Sequence, residues 1–493
     1  MKRFFTKPTC LILVLCSLFL VMAGTASAQT IRYVTPAGAG NNDGTSWANA
    51  APGTQLQNQI NAAAANTQIW VAAGTYTPTN NPTGSGDNRD QTFLLKNGVA
   101  LYGGFAGQAG ETVASRNIAA NPTILSGDLG TLNDNADNAY HVLVSVNNDA
   151  TAILDGFIVE KGNADENTNG SSTISGEQIT QFDGGAMINR SSSPILRNNT
   201  FRENRSINRA GGIFNDNSSP IIINSIFTRN VGYVGGAMTN LNSNVTITNS
   251  TFNENNADDT GGAIYLNANS MTIINSILYG NTANGVVNNL HIQLGTVAVN
   301  NSLMQQAGYA GSNGNINTDP LFVDAANGDL RLKPGSPAIN AGDNTAIAGI
   351  NTDLVGNLRI QKTTVDMGAY ESPYSSVTGN ANGIVYVKQG ATGDFSGDSW
   401  DNAAAEVGAA LKAAESNAAI TQVWVAQGTY YPTHNPVVNR IDNRDKTFLL
   451  VNEVALYGGF AGTETTLAER SIATHPTILS GELQNDGDNS NNA

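Results

Sequence analysis

The chain has 493 residues, a formal charge of −15 at pH 7, a charged fraction of only 13%, 52 glycines and 2 cysteines. That acidic balance excludes nucleic acid and anionic membrane surfaces as partners. Few charges with many glycines and asparagines disfavour helices and favour tight turns, so an all-β chain is expected.

Residues 1–28 read as a signal peptide. Lys2, Arg3 and Lys7 precede an apolar run from Leu11 to Met22, which ends at Ala26-Ser27-Ala28. The run is shorter than the ~20 residues that a bilayer span needs, and the small residues at its end suit cleavage. Export is therefore expected, with a mature chain from Gln29 that has no transmembrane segment. Removing the leader's three positive charges takes the net charge from −15 to −18 (−15 − 3). Cys10 and Cys16 both lie in the leader, so no disulfide is expected; a long chain with a large core does without one.

Two Ala-rich stretches predict short helices, at 54–65 and at 403–419. Each precedes a strand carrying a tryptophan, Trp70 or Trp424. A solenoid must cover its end strands, so each helix is read as a lid on a first coil. After Trp70 comes the loop Asp87-Asn-Arg-Asp90. It is rich in carboxylates that calcium favours, but it lacks the ordered ligand spacing of an EF-hand.

Short repeats then fill the middle of the chain. Gly-Gly pairs begin at Gly184, Gly211, Gly235 and Gly261, each followed by an apolar strand, a Ser/Asn turn and a β-branched strand. Each repeat then runs Asn-x-x-apolar: Asn198/Phe201, Asn224/Phe227, Asn249/Phe252, Asn275/Leu278 and Asn301/Met304. A further asparagine follows at Asn204, Asn230, Asn255 and Asn281. A period of 25 or 26 residues without helical periodicity excludes paired-helix solenoids. It fits one coil of a right-handed parallel β-helix, with three strands and three turns per coil and a rise of about 4.8 Å. Phe201, Phe227, Phe252 and Leu278 are then an inward column, and the asparagines a ladder at a corner.

The segment 319–371 has its own signature: Asp319-Pro-Leu-Phe-Val-Asp324, Gly335-Ser-Pro-Ala-Ile-Asn340 and Asp366-Met-Gly-Ala-Tyr-Glu371. A linker over 372–383 follows. Then the first motifs return at a constant offset of 353 to 355. Gln68-Ile-Trp-Val71 becomes Gln422-Val-Trp-Val425, and Val99-Ala-Leu-Tyr-Gly-Gly-Phe105 becomes Val454-Ala-Leu-Tyr-Gly-Gly-Phe460. The expected organisation is a signal peptide over 1–28, a β-helix module over 29–371 with its closing segment at 319–371, a linker over 372–383, and an incomplete second module over 384–493. The second copy matches the first only to about Ala139, so the sequence is read as a fragment.

These motifs resemble the bacterial secreted β-helix repeat proteins of the pectin-lyase-like superfamily, and the 319–371 segment resembles the closing segment of the choice-of-anchor Q group. The resemblance implies extracellular or cell-surface placement. It implies no single activity, because the fold hosts lyases, hydrolases and adhesins. Lyases of the superfamily carry a calcium-binding Asp cluster beside a basic residue. Its hydrolases carry grouped aspartates, a Gly-His-Gly and an Arg-x-Lys. His141, His291, His434 and His475 fall in no such motif.

The remaining candidates are carboxylates and arginines. Asp183 and Asp258-Asp259 precede Gly-Gly corners about three coils apart, roughly 14 Å at the coil rise, too far for one acid/base pair. Asp155 stands in Leu154-Asp-Gly-Phe157. Arg190, Arg197, Arg202, Arg205, Arg209 and Arg229 cluster along the repeats. They read either as solvated residues with local acidic partners or as one flank of a groove for a uronic-acid polymer. No catalytic, cofactor or metal residue is assigned. The sequence favours a non-catalytic extracellular module for adhesion or glycan contact, with a polysaccharide or a host or cell surface as partner. A polysaccharide lyase or glycoside hydrolase acting on an acidic polymer is the competing reading.

Overall fold

A computed structural model describes residues 29–167, 170–433 and 443–482; the expected signal peptide, His434 and Asp442 lie outside the described residues. The chain winds into a parallel β-helix. Strand rows of one coil pair in parallel with the same rows of the next, in sheets of 15, 8 and 6 strands.

Each regular coil has four strand segments, where three were expected. One coil runs Met187–Arg190, Ile195–Arg197, Thr200–Arg202 and Arg205–Ser206. The next runs Ile213–Asp216, Ile221–Ile223, Ile226–Thr228 and Val231–Val234. The additional segment changes character from coil to coil, from Arg205–Ser206 to Val231–Val234 to Asn256–Thr260, and this hides it from a repeat pattern. Between the segments the chain turns on single left-handed residues: Ser191, Asn198, Glu203 and Ala210 have φ of 51°, 54°, 53° and 54°. Asparagine tolerates this conformation better than other side chains, which explains its abundance at the corners.

The corner before the first segment explains the glycine pairs. Met187 pairs with Ile213 and Ile213 with Met238, so Gly184, Ala210 and Gly235 are one column. The pair Gly211-Gly212 is therefore one residue out of phase with its neighbours. The demanding column is the next one, Gly185, Gly211, Gly236 and Gly262. A Cβ on Gly236 would lie 2.3 Å from the Gly262 carbonyl oxygen, a distance that only glycine permits.

The core is built from inward columns. On one face Tyr76, Leu125, Val159, Phe201, Phe227, Phe252, Leu278 and Met304 stack rung on rung, all buried. Phe201 and Phe227 are stacked at 4.9 Å, Phe227 and Phe252 at 4.5 Å. The continuous amide ladder is the second asparagine set. Nδ2 of Asn204, Asn230 and Asn255 donates to Oδ1 of the next asparagine at 3.0, 2.9 and 2.8 Å. The first set, Asn198, Asn224, Asn249, Asn275 and Asn301, supplies left-handed corner residues, and the ladder beside it is made of serine hydroxyls. Ser225, Ser250 and Ser276 each donate a backbone N–H to Oγ of the serine one coil on.

The lid helix is shorter than expected, with the α-helix confined to Leu56–Ala62 (α1). Leu56 and Ile60 are buried in the main core, and the Gln57 amide pairs with the Leu94 backbone. The counterpart helix is Val407–Ser416 (α2), where 403–419 was expected. The two tryptophan clusters share one geometry. Trp70 stacks on Phe105 at 4.7 Å and 10°, and Trp424 on Phe460 at 4.8 Å and 9°.

The segment 319–371 does not cross the end of the solenoid. It lies along a flank, against the corner made by the first asparagine set. Asn224 donates to Thr352 O at 2.8 Å, Asn275 donates to Asp343 O at 3.0 Å, and Gly368 N donates to Asn275 O at 2.7 Å. Ile226, Ile277 and Leu303 pack there against Phe322, Leu354 and Met367.

Candidate functional site

The docked segment creates a broad cleft on the flank of the solenoid. One wall is the loop carrying Val113, Arg116 and Ile118. The other is 349–356, from the docked segment. The floor is an outward row of Asp155, Arg197 and Ile223, and the cleft measures about 650 Å³. Register sets the floor: Tyr102, Asp155, Arg197 and Ile223 are paired positions on successive rungs.

Asp155 is buried and sits between two guanidinium groups. Arg197 Nε reaches its Oδ2 at 2.5 Å, Arg116 pairs with its Oδ1, and the Asn198 amide donates to Oδ1 at 2.8 Å. Arg116 also donates to the carbonyls of Gly103 and Asp155. Arg197 donates to the Tyr102 hydroxyl at 3.3 Å, and both guanidinium groups lie over the Tyr102 ring. Burial raises the Tyr102 phenol above its ordinary range, so it stays protonated. Two cations share one carboxylate, leaving one net positive charge on the cleft floor of an acidic protein. Arg197 retains 36% of its side-chain exposure and is the cation that a ligand can reach.

The cleft's second carboxylate is Asp353, on the docked wall. It is buried and accepts four hydrogen bonds, from Val355 N, Asn357 N, Asn357 Nδ2 and Glu371 N, at 2.8 to 3.1 Å. Both carboxylates are thus saturated acceptors held inside the fold. Neither presents a lone pair to a proton on a bound ligand, the geometry that a general base requires.

Other candidates are dispersed. Asp183 is fully buried and accepts from Thr180, Asn208 and the Arg209 backbone; burial raises its carboxyl. Asp258 and Asp259 are exposed within the strand Asn256–Thr260, not in a turn. The arginines do not share a flank. Arg190 pairs with Asp216, Arg202 with Glu160 and Arg209 with Asp183, on different faces of the coil. Lys161, Glu203, Arg229 and Glu254 alternate in sign up one corner. Arg197 has its own acidic partner in Asp155 and Arg205 is exposed, so the reading as solvated or locally paired residues accounts for the set.

The Asp87–Asp90 loop does not fit calcium. Asp90 accepts from Thr83, Ser85 and Gln181 side chains, and Asp87 from Arg89 N and the Tyr140 hydroxyl. Their lone pairs serve the fold. Among the described residues no group of three or more His, Cys, Asp or Glu side chains could hold a metal ion. His141 is buried, with Nδ1 on the Gly184 carbonyl, and His291 stacks on Tyr265 at 5.4 Å. His475 is exposed. Sequence reading named Asp155 and Arg197 but missed Arg116, Tyr102 and Asp353, which no short motif links.

Residues 141–303 match the family model described as the right handed beta helix region. No curated protein matches the chain. Among solved structures, the crystal structure of pectate lyase Pel9A is similar at 15% identity. The match covers 69% of this chain and 96% of that chain, with a TM-score of 0.27. The parallel strand rows and the family match together make the fold a right-handed parallel β-helix. No helix among the described residues is long and apolar enough to cross a membrane.

Proposed function

We propose that the protein is an exported, non-catalytic β-helix that contacts extracellular glycans through the cleft over Asp155 and Arg197. One observation carries this reading: the carboxylates of the cleft, Asp155 and Asp353, are both committed as hydrogen-bond acceptors within the fold, while Arg197 faces the opening. A hydrolase needs one free acid and one free base several ångströms apart. A binding site needs only a shaped cleft with a few placed polar groups. Stacked rungs also hold those groups rigidly at a repeat of about 4.8 Å, which suits an extended polymer. The superfamily resemblance and the leader support placement outside the cell.

The test offers pectate, alginate and chondroitin to the purified protein, with and without calcium. Retention of protein on at least one immobilised polymer, without unsaturated product, is the expected result. Arg197→Ala should weaken that retention about tenfold, the loss of one charge-assisted contact. Asp155 keeps Arg116 and Asn198 in this variant, so the fold survives. Formation of unsaturated or hydrolysed product would overturn the non-catalytic reading, and absence of binding to all three polymers would overturn the glycan reading.

A further inference from the structure

The wall 349–356 belongs to a segment whose anchoring is electrostatically unusual. Behind it four ionisable side chains are sealed from solvent: Asp353, Asp366, Glu371 and Arg359. Three carboxylates face one guanidinium. With all four ionised, the cluster would carry two uncompensated negative charges in the interior, a state that burial strongly penalises.

The hydrogen bonds show where the strain falls. Asp353 is saturated by four donors. Asp366 receives Asn340 N and Ser372 N, each at 2.7 Å. The Glu371 carboxylate receives Asp366 N at 3.2 and 3.3 Å, longer than the bonds to Asp366, and Arg359 Nε stands 3.6 Å from it. Arg359 meanwhile donates to the backbone carbonyls of Asp366, Gly368 and Ala369. The guanidinium therefore also staples the turn that docks on the coil, where Gly368 N meets Asn275 O and Ala369 N meets Thr251 Oγ1. The coil corner contributes Asn249, Thr251 and Asn275 to this contact, none of which titrates. The charged groups facing Asp366 and Glu371 are Arg359 and Asp353, both from the docked segment.

We propose that a proton shared between Asp366 and Glu371 latches the docked segment to the flank of the β-helix, and that losing it as pH rises releases the cleft wall. Burial raises both carboxyls, and their mutual repulsion adds to it for Glu371. The sign follows. A carboxyl whose folded pKa lies above its unfolded value stabilises the fold fully in acid, and that contribution is lost as pH rises through the folded value. The latch concerns the wall itself and holds whether or not a glycan occupies the cleft.

Amide hydrogen exchange of the intact protein tests it, read as protection factors so that the intrinsic pH dependence is removed. Peptides covering 349–371 should be protected at pH 6 and lose protection by about tenfold per pH unit once the proton is lost, one proton's worth of linkage. Peptides covering 238–260, in the coils, should keep theirs. Glu371→Gln carries a permanent neutral head and should keep the 349–371 peptides protected at pH 9. Should that variant fail to fold, carbon-13 carboxyl resonances of the wild-type protein give the second readout. Two carboxyls should change protonation together above pH 6. Unchanged protection of 349–371 between pH 6 and 9, or full ionisation of every carboxyl at pH 6, overturns the latch.

Discussion

At the scale of single residues, most polar side chains inside this solenoid hold one rung to the next. His141 illustrates the cost. Its ring is buried, and Nδ1 meets the Gly184 carbonyl at 3.0 Å. Burial pushes its pKa down to about 4. The unfolded chain takes up the proton near the ordinary value of about 6.5, so stability falls as pH drops from about 6.5 toward 4 and levels off below. The full effect is on the order of 3 kcal/mol, from roughly 1.4 kcal/mol for each pH unit between the two values. Urea midpoints across this range should fall more steeply for the wild-type protein than for His141→Gln. Parallel curves would mean that the ring titrates normally. Histidine was prominent in the sequence as one of four, but nothing local to it marked the burial. The residue lies just before a regular inward strand, Leu143–Val146, and the stacked coil and the inserted hairpin with Ile174 and Ile179 close over it.

At the scale of elements, what the sequence revealed and what it hid follow from periodicity. The column of Phe201, Phe227 and Phe252 was legible because inward positions recur every 25 or 26 residues and must be apolar. The ladder of Asn204, Asn230, Asn255 and Asn281 was legible for the same reason. Asp155 and Arg197 were named separately, yet their pairing was not legible, because they lie 42 residues apart. The antiparallel hairpin Ser171–Ile174/Glu177–Thr180 is inserted between their coils and breaks the period. Arg116 and the 349–356 wall come from outside the repeats altogether, so the cleft had no sequence signature. The ladder makes a sharp prediction. In Asn255→Ala the Asn230 amide and backbone N–H lose their acceptor, and the Phe227 carbonyl loses its donor. Stranding these buried groups should cost about 2 to 3 kcal/mol, in the range for unsatisfied buried polar atoms. Asn242→Ala, at an exposed corner on an adjacent face, should cost much less than this. Equal losses in chemical denaturation would show that the ladder adds nothing beyond its turn.

At the scale of the whole molecule, the ends of the solenoid are treated unequally. The first coil is closed by α1, whose Leu56 and Ile60 enter the core. The last long strand, Leu290–Asn300, has no such cover along its middle. Gln306 pairs with the backbone of Leu290, and Asn315 reaches Val299 O, so its two extremities are tied down. Between them Ile292 occupies the inward position above Leu266 yet stays exposed, and Leu294 is 66% exposed. The strand carries no charged residue, and its outer backbone edge is the kind that natural sheets usually blunt with lysine, proline or a covering element. Such an edge recruits other strands when coils loosen, so it should set the onset of association on heating. Leu294→Lys places a charge at the exposed centre of the strand without touching the core. Its effect on unfolding should stay within about 0.5 kcal/mol, as expected for surface changes. Light scattering during a thermal ramp should nevertheless begin at a higher temperature than for the wild-type protein. If both proteins scatter at the same temperature, association starts elsewhere than on this strand.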